Sequence, residues 1–489
     1  MRSPTPAPDT VPTPLALTER GVAPGVDPAD FLSGFEGEPR GFWGRGDRWV
    51  AWAGILAEVR LDPGPVARGG PAGSTGDRFD LVRAGAVRLT ASMFSPAPPS
   101  PGEPSSGEPR ARGLAPRLFG GFSFLDEPGE NGSWSGFPAA RFVLPRVVLE
   151  GGPGGVRLQV IRSGSGGSVG TEAEVADEAD RILAALEAGS LAGSTPAEFP
   201  EPMALEGEVS EERGEDAWTR AVEEVLAAEG EAGSEGEARL EKAVLARTRD
   251  VLLPRDASVP RLLRFLRHEN RRAHVFIFEP DPGRVLFGAA PEVLAELRDG
   301  RFHATAVAGS APRGRTSHEE QLFAGGLLAS AKDRAEHRMT LEEMVAALRP
   351  RLRTLTVPEA PGVLTLARIQ HLETPIHGEA APGEDILGLV QALHPTPAVC
   401  GRPRDAALAL LRESEPFERG WYAGPVGWLD GSGDGDFVPA LRIGVGGGRR
   451  WRLYAGAGIV QGSDPHSEWE ETALKFEPAH RALRAAAAP

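Results

Sequence analysis

The sequence predicts an α+β fold with large antiparallel sheets flanked by helices. Three observations carry that prediction. Strand-like runs come in groups joined by short turns, where a doubly wound parallel fold would alternate strand and helix more regularly. Helical patterns are grouped between those runs. The chain's 489 residues suffice for two ordinary domains, or one large one, with a substantial core.

Taken in order, residues 1–30 open with a Pro/Thr-rich run, lack the apolar core of a signal peptide and read as a disordered lead. A β-rich region is expected over 31–213. Its strand-like runs are RLFGGFSFL (117–125), ARFVLPRVVLE (140–150) and GVRLQVIR (155–162). The helical pattern TEAEVADEADRILAALEAG (171–189) follows. Pro, Gly and Ser mark loops at 62–76, 95–110 and 163–170, and the main composition break falls at about 190–214. The denser region 214–485 begins with an amphipathic helix at 216–229. HVFIFEP (274–280), GRVLFGAAPEVLAEL (283–297) and RFHATAVAGS (301–310) read as strands. Residues 318–352 read as mostly helical, 436–463 as a hairpin and turn, and a last helix opens within GSDPHSEWEETALK (462–475).

Composition narrows the function. The net charge is −16 with no Lys/Arg-rich run, which argues against nucleic acid or an anionic membrane as partner. No 18-residue apolar stretch marks a membrane span, and a cytoplasmic location is expected. The single cysteine, Cys400, excludes an internal disulfide and a cysteine-based zinc site. No amphipathic dimerisation segment stands out, which leaves the oligomeric state open and favours a monomer. The 53 basic residues comprise 50 arginines and three lysines, Lys242, Lys332 and Lys475. Where arginine serves almost everywhere, a surviving lysine points to a place that needs a compact ammonium or an amine able to lose its proton, with chance survival as the plain alternative.

At about 100° per residue, Glu468, Glu471 and Lys475 share one stripe of the last helix, and Glu470 points elsewhere. Alone, Glu471 and Lys475 describe an exposed pair worth only about 0.3–0.5 kcal/mol. A second cluster, AKDRAEHRM (331–339), sets Asp333 and Glu336 one turn apart with His337 beside them. Two such helices meeting would suit Mg²⁺, which takes oxygen ligands, keeps waters and is held by one or two carboxylates plus substrate oxygens. Lys242 shares an otherwise apolar strand face with Val244 and Ala246; partial desolvation there favours the neutral amine of a general base. Glu292 is the only acid in FGAAPEVLA (287–295), and a partly buried carboxyl there can deliver a proton. A snorkelling lysine and a strand-edge glutamate are the plain alternatives. The two tyrosines, Tyr422 and Tyr454, each open a glycine-rich turn, and Arg442 can pair with a carboxylate.

These stretches resemble the chorismate-utilising enzymes, most closely the isochorismate synthases. KAVLAR, FGAAPE, AVAGSAPRG, KDRAEH, IQHLETPIHG, LHPTPAVCGRP, YAGPVGW, GDGDFVPALR and AGAGIVQGSDPHSEWEETALK occur in the family's order over roughly 214–476. GFSF and FPAARFVLPR in the first half add to the likeness. The resemblance implies an anthranilate synthase component I-like fold, with 214–485 as a chorismate-binding catalytic region. It also implies Mg²⁺-dependent conversion of chorismate to isochorismate, for menaquinone or siderophore biosynthesis. By position, Lys242 would activate water and Glu292 would protonate the leaving hydroxyl. Glu336 and Glu471 would ligate the metal, supported by Asp333 and Glu468. Tyr422, Arg442, Gly456 and Lys475 would bind substrate carboxylates, and Gly309, Ser310, His371 and Ala398 would line the pocket.

Relatives with other reactions differ at identifiable positions. Anthranilate synthases lack a lysine where this chain has Lys242, and one type of aminodeoxychorismate synthase carries a lysine at the position of Ala308. Salicylate synthases share the Lys/Glu couple and go on to eliminate pyruvate, which makes them the nearest rival. A non-catalytic chorismate-fold protein would have lost that couple. Ser310, Ala290 and Asp436 depart from the family's commoner residues without removing a catalytic group.

Overall fold

The computed structural model describes residues 15–23, 25–62, 76–94, 116–126, 132–163, 172–192, 208–211, 214–230 and 239–488. The expected loops at 62–76, 95–110 and 163–170 lie almost wholly outside these residues, as do positions 1–14 of the expected lead. Residues 15–23 and 25–30 of that lead are ordered. Leu15–Val22 is a strand antiparallel to Gly155–Ser163. Asp27 then caps the helix Pro28–Gly34, its carboxylate accepting the Ala29 N–H at 2.9 Å, with proline in the first turn. The cap signal is present in the sequence, but a seven-residue helix shows too little periodicity to be read.

The sheet branches at one long strand, Ala140–Gly152. Along one edge that strand pairs with Arg48–Leu61. From there the first arm runs through Arg40–Arg45, His274–Asp281, Arg284–Ala290, Gly444–Gly447 and Arg450–Ile459 to Lys242–Leu252. Along its other edge Ala140–Gly152 pairs with Arg117–Phe122. The second arm continues through Pro425–Asp430, Gly435–Pro439, Ala295–Arg298 and Arg301–Pro312 to Ile369–Ala380. Every pairing on both arms is antiparallel. Strands from before and after the composition break at 190–214 lie side by side in each arm, so the two expected regions share one sheet.

The arms face each other across a core rich in aromatic side chains, including Trp43, Trp52, Phe119, Phe276, Trp421 and Tyr454. Helices cover the outer faces. Val259–Glu269 and Pro465–Ala486 bury Leu262, Leu266, Phe476 and Leu483 against the first arm. Ala331–Leu348 and Ile386–Leu393 bury Met344, Leu348, Leu387 and Val390 against the second. Apolar faces on sheet and helix thus settle the layering, as the hydrophobic effect requires.

Two departures from the expected elements position the site. Residues 283–297 do not form one strand. Arg284–Ala290 belongs to the first arm and Ala295–Arg298 to the second, so 291–294 crosses between them. The same happens between Gly435–Pro439 and Gly444–Gly447, where 440–443 crosses. One crossing carries Glu292 and the other Arg442. The helical region 318–352 is also divided, into Ser317–Ala329 and Ala331–Leu348. Ser330 ends the first and caps the second by accepting the Asp333 N–H at 3.2 Å.

Candidate active site

Lys242 begins the strand Lys242–Leu252, held between Gly401–Arg402 on one side and Arg450–Ile459 on the other. Its side chain is fully buried, and Nζ lies 2.9 Å from Glu336 Oε1. The snorkelling alternative is excluded. A narrow gap admits this pair. A Cβ on Gly458 would stand 2.3 Å from Glu336 Oε1 and 2.8 Å from Lys242 Cε. A side chain at 458 would therefore displace the ends of the Lys242 and Glu336 side chains, a role that motif reading did not assign to this glycine.

Glu292 is buried in the first crossing, and its Oε1 has no hydrogen-bond partner. The crossing is pinned by Thr305, whose Oγ1 accepts the Val293 N–H at 2.8 Å and whose own N–H donates to Val293 O at 2.9 Å. Burial pushes the Glu292 carboxyl up to about 8, against the opposing charge of Lys242. At neutral pH it holds its proton. A strand-edge glutamate facing water is likewise excluded.

The acidic cluster forms where the first turns of two helices meet. Asp464 caps the last helix by accepting the Ser467 N–H at 2.8 Å, with Pro465 in the first turn. Glu468 is buried, Glu471 is half-buried and Glu470 is exposed. Burial alone would raise the Glu471 carboxyl, but Lys475, with Lys332 adding to it, holds it well below the usual range. Burial and the neighbouring Glu471 charge raise Glu468, opposed by Lys332. Burial likewise raises Asp333. His337 turns away, with Nε2 2.8 Å from Thr374 Oγ1, and burial depresses it to about 4.

Among the described residues, no three His, Cys, Asp or Glu side chains converge closely enough to enclose a cation by themselves. Each glutamate of the cluster is instead held by a lysine: Glu336 by Lys242 at 2.9 Å, Glu468 by Lys332 at 2.5 Å and Glu471 by Lys475 at 2.5 Å. Glu336 and Glu471 line one cavity, while Glu468 and Asp333 stand outside its lining. Two carboxylates aimed into one cavity suit Mg²⁺, which fills its remaining positions with water and substrate oxygens.

The opposite wall holds cationic and neutral groups. Arg442, on the second crossing, is buried with φ of 53°. One of its terminal nitrogens lies 3.0 Å from His371 Nε2. A guanidinium can only donate, so Nε2 accepts and Nδ1 carries the proton, 3.1 Å from Gly309 O and 3.1 Å from Ser310 Oγ. Burial, with Arg442 and Lys475 adding to it, drives His371 down to about 3, which keeps the ring neutral. Lys475 Nζ also donates to Gly456 O at 2.9 Å. The Tyr422 hydroxyl stands 2.8 Å from where a Gly456 Cβ would be, and burial pushes it up to about 12. Tyr454 stacks on Tyr422 and accepts the Trp134 indole N–H at 2.9 Å, a packing role.

Glu292, Gly309, Ser310, Glu336, His371, Ala398, Arg442, Gly456, Glu471 and Lys475 thus line one small cavity of about 60 Å³. Lys242, Tyr422, Glu468 and Asp333 stand just behind that lining. Motif reading left Pro291, Val307 and Leu441 unassigned there. A much larger cleft, about 770 Å³, lies elsewhere, lined by Trp43, Arg45, Arg117, Arg298 and Trp428 among others. Volume alone would favour it. Most of its charges are already matched, with Arg117 3.1 Å from Glu150, Arg298 3.4 Å from Glu296 and His274 3.3 Å from Asp436. The small cavity is set apart by a buried carboxyl that keeps its proton, the fully buried Lys242 just behind its lining, and a neutral His371 against the buried Arg442, the marks of a reactive site.

The family model described as chorismate binding enzyme matches residues 105–484. A salicylate biosynthesis isochorismate synthase of Pseudomonas aeruginosa is 38% identical, over 76% of this chain and 75% of that protein. The isochorismate synthase MenF of Bacillus subtilis is 34% identical, over 76% of this chain and 75% of that protein. Among solved structures, the menaquinone-specific isochorismate synthase MenF of Escherichia coli superposes with a TM-score of 0.72 at 23% identity. That match covers 97% of this chain and 95% of that one, and it supports the fold.

Proposed function

The chain belongs to the chorismate-binding enzymes, and from that premise we propose that it is an isochorismate synthase, an isomerase that moves a hydroxyl between carbons of the chorismate ring. The observation that carries this reading is a carboxyl, Glu292, that lines the small cavity and is kept neutral at pH 7, with the fully buried Lys242 within electrostatic reach of it. Lys242 takes a proton from the attacking water and Glu292 gives one to the departing hydroxyl. Substrate and product then differ in where the hydroxyl sits and in the positions of the two ring double bonds, which shift as the new C–O bond forms and the old one breaks. The enzyme is left with a protonated Lys242 and an ionised Glu292, and a proton must pass back before the next turnover.

Arg442, Lys475 and the Tyr422 hydroxyl supply the donors a dicarboxylate substrate needs, and neutral His371 holds the Arg442 fork in place. Glu336 and Glu471 would hold Mg²⁺, with Glu468 and Asp333 supporting them. When bound, the cation offsets the negative charge of substrate and protein together. Anionic substrate would otherwise be repelled by a protein of net charge −16.

Incubation of the purified chain with chorismate, with and without Mg²⁺, tests the proposal. The expected outcome is isochorismate only when Mg²⁺ is present, with no pyruvate detected by coupling to lactate dehydrogenase. Appreciable pyruvate would assign the chain to the salicylate-forming reaction instead. For the metal, Glu471→Gln is expected to raise the Mg²⁺ concentration giving half-maximal rate by at least about tenfold, and to raise KM with it, because one ligand charge is lost. An unchanged Mg²⁺ titration would remove Glu471 from the metal site.

A further inference from the structure

Lys332 is the one lysine that the catalytic reading leaves without a task. It does not line the cavity, yet its Nζ stands 2.5 Å from Glu468 Oε1. Its location is electrostatically awkward. It sits in the first turn of Ala331–Leu348, where the helix dipole disfavours a cation. Something other than helix stability places it there, and Glu468 is the evident reason. The side chain of that glutamate is only 3% exposed and has the Glu471 charge beside it. Without a counter-ion it would be a buried, uncompensated carboxylate.

The residue type adds to the argument. All three lysines of the chain pair with one cluster of three glutamates, in a protein that uses arginine 50 times elsewhere. Arginine would grip a carboxylate with a rigid, weakly hydrated fork. Lysine is a strongly hydrated point charge on a flexible stem, and water readily takes it back. Of the three, Lys332 is best placed to leave: its side chain is 33% exposed, against 0% for Lys242 and 12% for Lys475.

We infer that Lys332 is the exchangeable counter-ion of the carboxylate cluster: it holds Glu468 in position before a divalent cation binds and withdraws toward solvent as the cation enters. This rests on the reading of Glu336 and Glu471 as cation ligands. It assigns Lys332 a positioning role, with no contact to substrate. Lysine and metal therefore compete, and the metal-free enzyme depends on Lys332 for stability while the loaded enzyme does not.

Thermal midpoints of the full chain against Mg²⁺ concentration, with and without chorismate, test this. Lys332→Gln is expected to melt below wild type without Mg²⁺, to approach wild type at saturating Mg²⁺, and to reach half its shift at about tenfold less Mg²⁺, since one repelling charge is gone. Lys332→Arg is expected to keep the metal-free midpoint and to need more Mg²⁺ than wild type. A Mg²⁺ requirement in Lys332→Gln equal to or above that of wild type overturns the competition. Failure of wild type to shift with Mg²⁺ under either condition overturns the metal reading itself, and this inference with it.

Discussion

Lys242→Arg is expected to lower kcat by about 10²–10⁴-fold, the usual contribution of a positioned general base, with Mg²⁺ saturating. Arginine can still pair with Glu336, but it cannot give up its proton and so cannot take one from water. That choice of variant matters. Lys242→Ala would strand the Glu336 carboxylate in a buried setting, at a cost of about 3–5 kcal/mol, and a loss of rate would then be confused with a loss of fold. Steady-state rates together with the thermal midpoint separate the two. Wild-type turnover in Lys242→Arg would refute the base assignment.

Glu292→Gln should be the other severe loss, again about 10²–10⁴-fold in kcat, and it carries a pH signature. Glu292 must be protonated to act as an acid, and its carboxyl sits at about 8. Wild-type activity should therefore fall as pH rises through about 8, and the residual rate of the glutamine variant should lack that limb. Stability falls in the same direction, beginning at lower pH. The folded carboxyl holds its proton up to about 8, whereas the unfolded one releases it near its ordinary value of about 4.3. Between those values the folded state binds the extra proton, so wild type loses stability as pH rises through that window. Glutamine has no proton to lose. Chemical denaturation at pH 6 and pH 9 should show the variant gaining on wild type as pH rises. An equal pH dependence of stability in both proteins would mean that Glu292 is not the buried neutral acid.

Much of the site was legible because the sequence is unusual in one respect. In a chain with three lysines, the places where lysine survives carry information, and all three converge on one acidic cluster. The helix stripe of Glu468, Glu471 and Lys475 followed from the 3.6-residue period, and the α+β class followed from the grouping of strands. Other features left no local trace. In the run from 283 to 297, Pro291 and Glu292 interrupt an otherwise largely apolar strand pattern, but they do not say that the chain leaves one arm for the other there. Glu292 and Arg442 owe their positions to those crossings, which are set by partners distant in sequence. Lys332 was visible as a rarity, but its pairing with Glu468 depends on how two helices meet. The closeness of Gly458 to the Lys242–Glu336 pair is likewise announced by no periodicity.

The branched sheet also sets a timetable for the growing chain. Gly41 pairs with Phe278 and Gly120 with Gly427. At about 5–20 residues per second on the ribosome, the strand Arg40–Arg45 waits roughly 12–50 s for one of its two neighbours, and Arg117–Phe122 waits longer still. Contacts this remote in sequence make folding slow. Throughout that interval the early strands carry open edges and aromatic side chains such as Trp43 and Phe119 whose covering partners have not yet been made. Co-expressed chaperones acting on nascent chains are therefore expected to raise soluble yield more than substitutions near the reacting groups.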